Sequence, residues 1–303
     1  MTTAVTPPRA GLDRSVLIAL AGVVQRRVLL TMTAMAALYA GALTLALRLD
    51  EPVVTVAATL ALTMVMSGFI QAAHDCVHGS HLRSRRANRV MGAAWCTPIL
   101  INFTNYRYQH LVHHRFTGVP GDTEPEKTFT GLGAYLYSMS GITLWRYNVI
   151  TATRTWQHRF PASVTGHPDR RRASRQDNLV ICLWVAVALT LTAIFPYAVL
   201  LGYWLPLLAS TVVARFTGLT EHYGLWGVPD IERNTRTVRS NPVMRFFMWN
   251  ANYHAEHHRF PAVPTLNLHR LHRALPEPHP LQAASYTAFH LRLIRHLTPG
   301  ETS

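Results

Sequence analysis

Four long apolar segments restrict the fold of this chain more than any other feature. The segments are residues 28–47, 53–73, 179–195 and 197–213. None of them contains Asp, Glu, Lys or Arg. About 20 apolar residues in a helix cross a hydrocarbon core of about 30 Å, and about 17 is the lower limit. The turns within the two pairs are short, at residues 50–52 and near Pro196. We therefore predict an all-α integral membrane protein with four transmembrane helices in two hairpins.

Arginines outside these segments predict the orientation of the hairpins. The arginines in question are Arg9, Arg14, Arg26, Arg27, Arg83, Arg85, Arg86, Arg89, Arg170, Arg171, Arg172, Arg175 and Arg215. All of them lie on the side away from the short turns, and basic loops stay in the cytoplasm. We therefore predict a multi-pass protein of a bacterial inner membrane. Its single domain, 1–303, would have a cytoplasmic arm at 1–27 and a cytoplasmic helical cap made of catalytic segments at 74–178 and 214–303.

The net charge of +14 is a possible sign of nucleic-acid binding. No recognition-domain pattern accompanies the charge, and basic loops beside an anionic leaflet explain it. We therefore exclude nucleic acid and expect the bilayer as the partner of this surface. Residues 90–103 are apolar but too short to span, which predicts an interfacial or re-entrant segment. The aromatic-rich residues 131–150 are predicted to lie on the membrane.

Eight of the seventeen histidines fall into three tight clusters. These are His74 and His78, then His110, His113 and His114, and finally His254, His257 and His258. Spacings of three and four residues place the imidazoles of one cluster on a single helical face. Neutral imidazole is the commonest side-chain metal ligand, and eight exceed the four ligands of a structural zinc site. The clusters therefore predict a polynuclear metal centre. Two irons are the favoured interpretation, since nitrogen-rich sites suit Zn, Cu, Fe and Ni.

Several acidic residues adjoin these clusters. Asp75, Glu221 and Glu256 each neighbour a candidate ligand and could accept its second ring N–H, which would fix the tautomer. A solvated surface charge is the alternative for each of them. Asp122 lies in a turn after the second cluster, where it either binds a histidine or shapes the turn.

The strings that contain the histidines resemble a known family. They read His-Asp-Cys-Val-His-Gly at 74–79, Gln-His-Leu-Val-His-His at 109–114, and Asn-Tyr-His-Ala-Glu-His-His-Arg-Phe-Pro-Ala-Val-Pro at 252–264. In order, spacing and membrane layout they are similar to the three histidine boxes of the membrane fatty acid desaturase superfamily. The resemblance covers roughly residues 50–275. It implies a di-iron, O2-dependent desaturase, hydroxylase or ketolase that acts on a lipid chain.

The resemblance also implies a set of iron ligands. Carried over by position, they are His74, His78, His110, His113, His114, His254, His257 and His258, with His222 as a ninth. Some acyl-CoA desaturases have an asparagine ligand four residues before this last histidine. Here that position is Gly218, so the ligand is absent or supplied elsewhere, with Asn250 or Asn252 as possible substitutes.

The other histidines are predicted not to bind the metal. His81 follows the first box by three residues, but Gly79 and Ser80 predict that the helix has ended before it. The remaining histidines without cluster partners are His158, His167, His269, His272, His279, His290 and His296. Of these, His269 and His272 have helical spacing, and we expect them on an exposed amphipathic helix.

Reduction of O2 requires electrons from outside the predicted centre. The sequence contains no cytochrome b5 motif, no four-cysteine iron–sulfur or rubredoxin pattern, and no dinucleotide fingerprint. We therefore expect a separate electron donor of the ferredoxin or rubredoxin type, with its reductase. Basic cytoplasmic loops would attract such an acidic carrier.

The sequence supports three functions, in order of preference. The first is an oxidase that introduces a double bond into a fatty acyl chain, and the second is a hydroxylase or ketolase of a lipid or carotenoid on the same scaffold. The third is a metal transporter or storage protein. Transporters place ionisable residues within their spans, whereas these histidines lie at span ends and in loops, which argues against transport.

Overall fold

Four long apolar helices dominate the computed structural model, which describes residues 12–124, 128–277 and 279–298. The first three are α2 (Gln25–Arg48), α3 (Pro52–His78) and α9 (Pro168–Ile194); the fourth, Pro196–His222, comprises α10 (Pro196–Val199), a π-helical turn (Leu200–Trp204) and α11 (Leu205–His222). All four are long and apolar enough to cross a membrane. The predicted spans therefore lie in helices except for Phe195, which separates α9 from α10. The hairpin arrangement and the cytoplasmic cap remain predictions.

The helices extend beyond the apolar segments. α3 continues five residues past position 73 to His78, and Gly79 ends it in the left-handed conformation at φ 71°. Glycine adopts this conformation without a steric penalty, so it commonly terminates helices. α9 begins at Pro168, and proline is favoured in a first turn because its missing N–H has no helical partner there. The first histidine box therefore belongs to the end of a long helix.

Shorter elements occur elsewhere in the described residues. The helices are α1 (Arg14–Ala21), α4 (Arg85–Cys96), a 3₁₀ turn (Thr97–Ile99), α5 (Phe103–Phe116), α6 (Leu132–Met139), α7 (Ile142–Trp156), α8 (Ala162–Thr165), α12 (Ile231–Asn234), α13 (Pro242–Phe247), α14 (His254–Arg259), α15 (Thr265–Ala274) and α16 (Tyr286–Leu297). Two short parallel strands, β1 (Thr237–Val238) and β2 (Gln282–Ala283), pair with each other. The fold is mostly helical, and this ladder corrects the all-α prediction; two-residue strands are too short to show an alternating pattern.

Helix α3 lies at the centre of the packing, against α2, α4 and α11. Its Val65 packs with Met35 of α2 and with the fully buried Trp249. By contrast, large apolar side chains of α2 and α9 point outward, including Leu30 and Leu183. Apolar surface of this extent is typical of a lipid-facing helix. The arrangement therefore fits a membrane protein.

The two predicted interfacial segments differ in the structure. Residues 90–103 form parts of α4 and α5, and their Cys96 and Phe103 are buried against α3. This segment belongs to the protein core more than to a membrane surface, because its apolar residues complement α3. Residues 131–150 form α6 and most of α7, where Tyr137 and Tyr147 are exposed and Tyr135 is buried; their position on a membrane remains a prediction.

Candidate metal centre

The nine predicted ligands converge as two neighbouring groups. The five-histidine group consists of His74, His78, His110, His114 and His257, and the four-histidine group of His113, His222, His254 and His258. Within each group, the candidate ligand atoms all lie within 4.8 Å of one another. The structure thus brings together every histidine that the sequence singled out, including His222 at the end of α11.

Helical geometry explains why two groups form from three boxes. Each residue turns a helix by about 100°, so residues i and i+4 differ by about 40° while i+3 points about 100° away from i+4. In α5, His110 and His114 accordingly enter the five-histidine group and His113 enters the other. In α14, His254 and His258 share the four-histidine group and His257 crosses to its neighbour. The spacing His-x-x-His-His therefore serves two metal positions at once.

Distances between ring nitrogens resemble those around a metal ion. In the five-histidine group, Nε2 of His114 lies 2.9 Å from Nε2 of His110 and 3.0 Å from Nε2 of His257. In the other group, Nε2 of His254 lies 3.0 Å from Nε2 of both His222 and His258. Two nitrogens each about 2.1 Å from one ion, at right angles, are about 3.0 Å apart. Because one ring nitrogen has either a single proton or a single lone pair, shared coordination explains these contacts better than hydrogen bonds.

Burial keeps these imidazoles neutral. It lowers the pKa of His110, His254, His257 and His258 well below the usual value, and neighbouring imidazoles lower each further. The same causes lower the pKa of His114 to about 2. A neutral imidazole offers a lone pair to a metal without prior loss of a proton. The centre is therefore ready to bind cations at neutral pH.

Buried ring nitrogens without a hydrogen-bond partner indicate whether these residues could bind a metal ion. Both ring nitrogens of His74 and Nε2 of His78 are buried without a hydrogen-bond partner among the described residues. An unsatisfied buried polar atom costs about 1–3 kcal/mol, so a native structure rarely leaves several together. Coordination to a cation would satisfy them. The donor set therefore fits two metal ions held mainly by nitrogen.

Hydrogen bonds at Nδ1 orient three members of the four-histidine group. Nδ1 of His113 donates to Asp122 at 2.8 Å, and Nδ1 of His222 donates to the Asn234 carbonyl oxygen at 3.0 Å. Nδ1 of His258 donates to the Thr117 hydroxyl at 3.2 Å, while that hydroxyl donates to a backbone carbonyl. Protonated Nδ1 leaves the Nε2 lone pair for the metal. Asp122 therefore fulfils both alternatives, because it contacts a histidine and also accepts backbone N–H groups within its turn.

Two of the other predicted acid contacts are wrong. The Asp75 carboxylate accepts hydrogen bonds from the backbone N–H and hydroxyl of Thr265, at 3.0 and 2.8 Å. The Glu256 carboxylate accepts from His272 at 2.5 Å and from the Thr237 hydroxyl. Both acids point away from the ligands beside them, because adjacent residues face different sides of a helix. Glu221 does approach a ligand, with its Oε2 3.6 Å from Nε2 of His254.

The remaining histidines stay outside the two groups. His81 is fully buried and its Nε2 accepts a hydrogen bond from the Trp95 indole at 3.3 Å. His290 is buried between the Tyr135 hydroxyl and the Phe216 carbonyl. The predicted exposed helix around His269 is α15, which is half-buried because its apolar face, with Leu268 and Leu271, packs in the core; His272 pairs with Glu256.

Replacement of Asp122 by asparagine tests the hydrogen bond between its carboxylate and Nδ1 of His113. The variant removes the charge that holds the Nδ1 proton, and we expect metal affinity to fall by about 10- to 100-fold. Metal content after dialysis against graded chelator measures the change. An unchanged chelation curve would show that Asp122 only shapes its turn, where it also accepts from the Gly118 N–H.

Comparison with known proteins agrees with this centre. Residues 51–290 match the fatty acid desaturase family. The matched region covers most of the chain and contains all nine histidines, so the chain belongs to the fatty acid desaturase family. Its histidine groups fit the non-haem di-iron site of such an oxidoreductase.

Individual relatives are distant and differ in reaction. The chain is 28% identical over 225 residues to a beta-carotene ketolase of Paracoccus sp., covering 71% of this chain and 77% of the ketolase. It is 22% identical over 218 residues to an sn-1 oleoyl-lipid 12-desaturase of Anabaena variabilis, covering 70% of this chain but 53% of that protein. A 56-residue segment is 39% identical to an sn-1 acyl-lipid omega-3 desaturase (ferredoxin) of Synechocystis sp., covering 18% and 15% of the two chains. The chain thus spans about half the length of the oleoyl-lipid desaturase.

Proposed function

We propose that this protein is a membrane di-iron oxidase that uses O2 to introduce a double bond into a fatty acyl chain. The observation that carries the proposal is the pair of buried histidine groups. Their position at the ends of long apolar helices supports a substrate drawn from the bilayer, because His78 and His222 terminate α3 and α11. Family membership supports the reaction class.

In this proposal, the nine histidines hold two irons. When bound and reduced, the pair supplies the activation of O2 that removes hydrogen from an unactivated C–H bond. The chain keeps the ligands neutral by burial and fixes three tautomers through Asp122, Asn234 and Thr117. It also limits the access of water to part of the centre, because His113 and His257 are at most 2% exposed. Water exclusion limits side reactions of a strong oxidant.

Electrons are proposed to come from a separate ferredoxin or rubredoxin type of carrier. The similarity to a ferredoxin-linked desaturase supports this choice. The bacterial inner membrane, the two hairpins and a cytoplasmic active site belong to the same proposal, on the grounds of the arginine distribution. An acidic carrier would be attracted to the basic face.

A ketolase or hydroxylase is the second candidate. The similarity to a beta-carotene ketolase, which covers 77% of that protein, specifically favours it. Both reactions share the first removal of hydrogen, and the position of the substrate relative to the oxidant decides between a second removal of hydrogen and the insertion of oxygen. The two candidates therefore predict the same metal centre but different products.

Product analysis separates the candidates. We would express the chain in cells that contain fatty acyl lipids and in cells that also make β-carotene, and analyse both by mass spectrometry. Loss of two hydrogens from acyl chains supports desaturation; a gain of one oxygen supports hydroxylation, and a gain of one oxygen with loss of two hydrogens supports ketolation. Purified protein should hold about two irons per chain. Loosely held zinc or a variable metal content would contradict all three reactions and favour transport or storage.

A further inference from the structure

We propose that the Glu221 carboxylate is a direct metal ligand that completes the four-histidine group. The proposal rests on the function proposed above and concerns which side chains hold the second metal. The two groups differ in their number of candidate ligands, because one has five histidines and the other has four. An oxygen donor on the metal-facing side of the smaller group would equalise the two.

Glu221 lies on that side. Its Oε2 is 3.6 Å from Nε2 of His254. This nitrogen is also the one that lies 3.0 Å from Nε2 of both His222 and His258, so it faces the centre of the group. Two donors about 2.1 Å from one ion and 3.6 Å apart subtend an angle of about 120° at the metal. The separation of the two atoms is therefore compatible with their coordination of one ion.

Three other acids near the centre are placed differently. Asp122 contacts Nδ1 of His113, which is the side of the ring away from the metal. Asp75 is bound to Thr265, and Glu256 to His272. Only Glu221, among these four acids, approaches a ligand from the side that carries its metal-binding nitrogen. This difference separates a ligand from residues that orient ligands.

The chain leaves room for this carboxylate. Glu221 immediately precedes His222 in α11, and its side chain folds back over Gly218, one turn earlier. A Cβ atom at Gly218 would lie 3.9 Å from Oε2 of Glu221 and would make ordinary van der Waals contact. Because glycine has no side chain, the carboxylate has the space that a longer donor at that position would take. Glu221 thus supplies an oxygen from a different position of the same helix.

Charge gives a physical reason for a carboxylate here. Nine neutral imidazoles bring no negative charge, whereas two divalent cations bring four positive charges into a buried site. Buried charges are paired or coordinated in stable structures. The Glu221 side chain is 20% exposed, so its ionised form is less costly than that of a fully buried acid. One anionic ligand also makes the two metal positions chemically different.

Mössbauer spectroscopy of the full-length protein loaded with ⁵⁷Fe(II) tests the proposal. Wild-type protein should give two ferrous doublets of equal area. Replacement of Glu221 by glutamine or by alanine should change one doublet and leave the other. In Glu221→Ala the affected iron should also be removed by chelator at least about tenfold more readily. Glu221→Gln keeps the size of the side chain, so it decides the question if the alanine variant does not fold.

Two controls define the outcomes. Glu232→Gln removes a nearby carboxylate that pairs with Arg259, and both doublets should match the wild type. Asn252→Ala removes a buried amide oxygen that has no partner among the described residues, and it too should leave the doublets unchanged. Unchanged doublets in both Glu221 variants, or a change confined to Asn252→Ala, would overturn the assignment. Absence of two irons from the wild type would instead refute the function proposed above.

Discussion

Replacement of His257 by alanine is expected to abolish turnover and to reduce the iron content from about two to about one per chain. His257 reaches from α14 into the five-histidine group, where its ring centroid lies 4.3 Å from that of His74 and its Nε2 lies 3.0 Å from that of His114. The variant therefore removes one nitrogen from a single metal position. His113→Ala should have the same effect through the other position. Product yield by mass spectrometry and iron by elemental analysis measure both losses.

Membrane insertion should survive in both variants, because the long apolar helices do not include either residue. The amount of protein in the washed membrane fraction checks this. His296→Ala is the matched control, since His296 is exposed at the end of α16 and should leave activity at the wild-type level. Retained turnover in His113→Ala or His257→Ala would refute the ligand role of that residue.

The long helices could be predicted from the sequence because hydropathy is a local property. Gly79 and Ser80 also indicated the end of α3, but the start of α9 could not be predicted from hydropathy, since residues 168–178 are mostly polar or charged. The pairing of Thr237 with Gln282 was also beyond prediction, because it depends on contacts between residues 45 positions apart in the chain. Sequence patterns over so few residues have no periodicity to measure.

Eight candidate ligands were likewise predictable from spacing and His222 from the family resemblance, whereas their hydrogen-bond partners were not. Nothing local marks Asn234 or Thr117, which orient ligands through a backbone carbonyl and a hydroxyl. Such groups occur in every chain, and only the fold selects those that face an imidazole. The same limit explains the errors for Asp75 and Glu256. Adjacency in sequence suggested contact, but the helix directs neighbouring side chains to different sides.

Replacement of Asp75 by alanine is expected to destabilise the protein by about 2–4 kcal/mol. Asp75 is 1% exposed and accepts from the backbone N–H and the hydroxyl of Thr265. It thereby joins the end of α3, which carries the first box, to the start of α15, which comes after the third. The variant leaves two buried donors without their acceptor. A fall in the melting temperature of the purified protein of about 5 °C or more measures the loss.

Thr265→Val separates the shared interaction from a general effect of altering the core. This variant removes only the hydroxyl donor and keeps the backbone N–H bond to Asp75, so it should cost about 1 kcal/mol. The double variant should be less destabilised than the sum of the two single variants, because both remove the same hydrogen bond. Strict additivity, or a wild-type melting temperature in Asp75→Ala, would show that this bond does not hold the two boxes together. Because His74 precedes Asp75 directly, the variant should also release iron more readily than Thr265→Val.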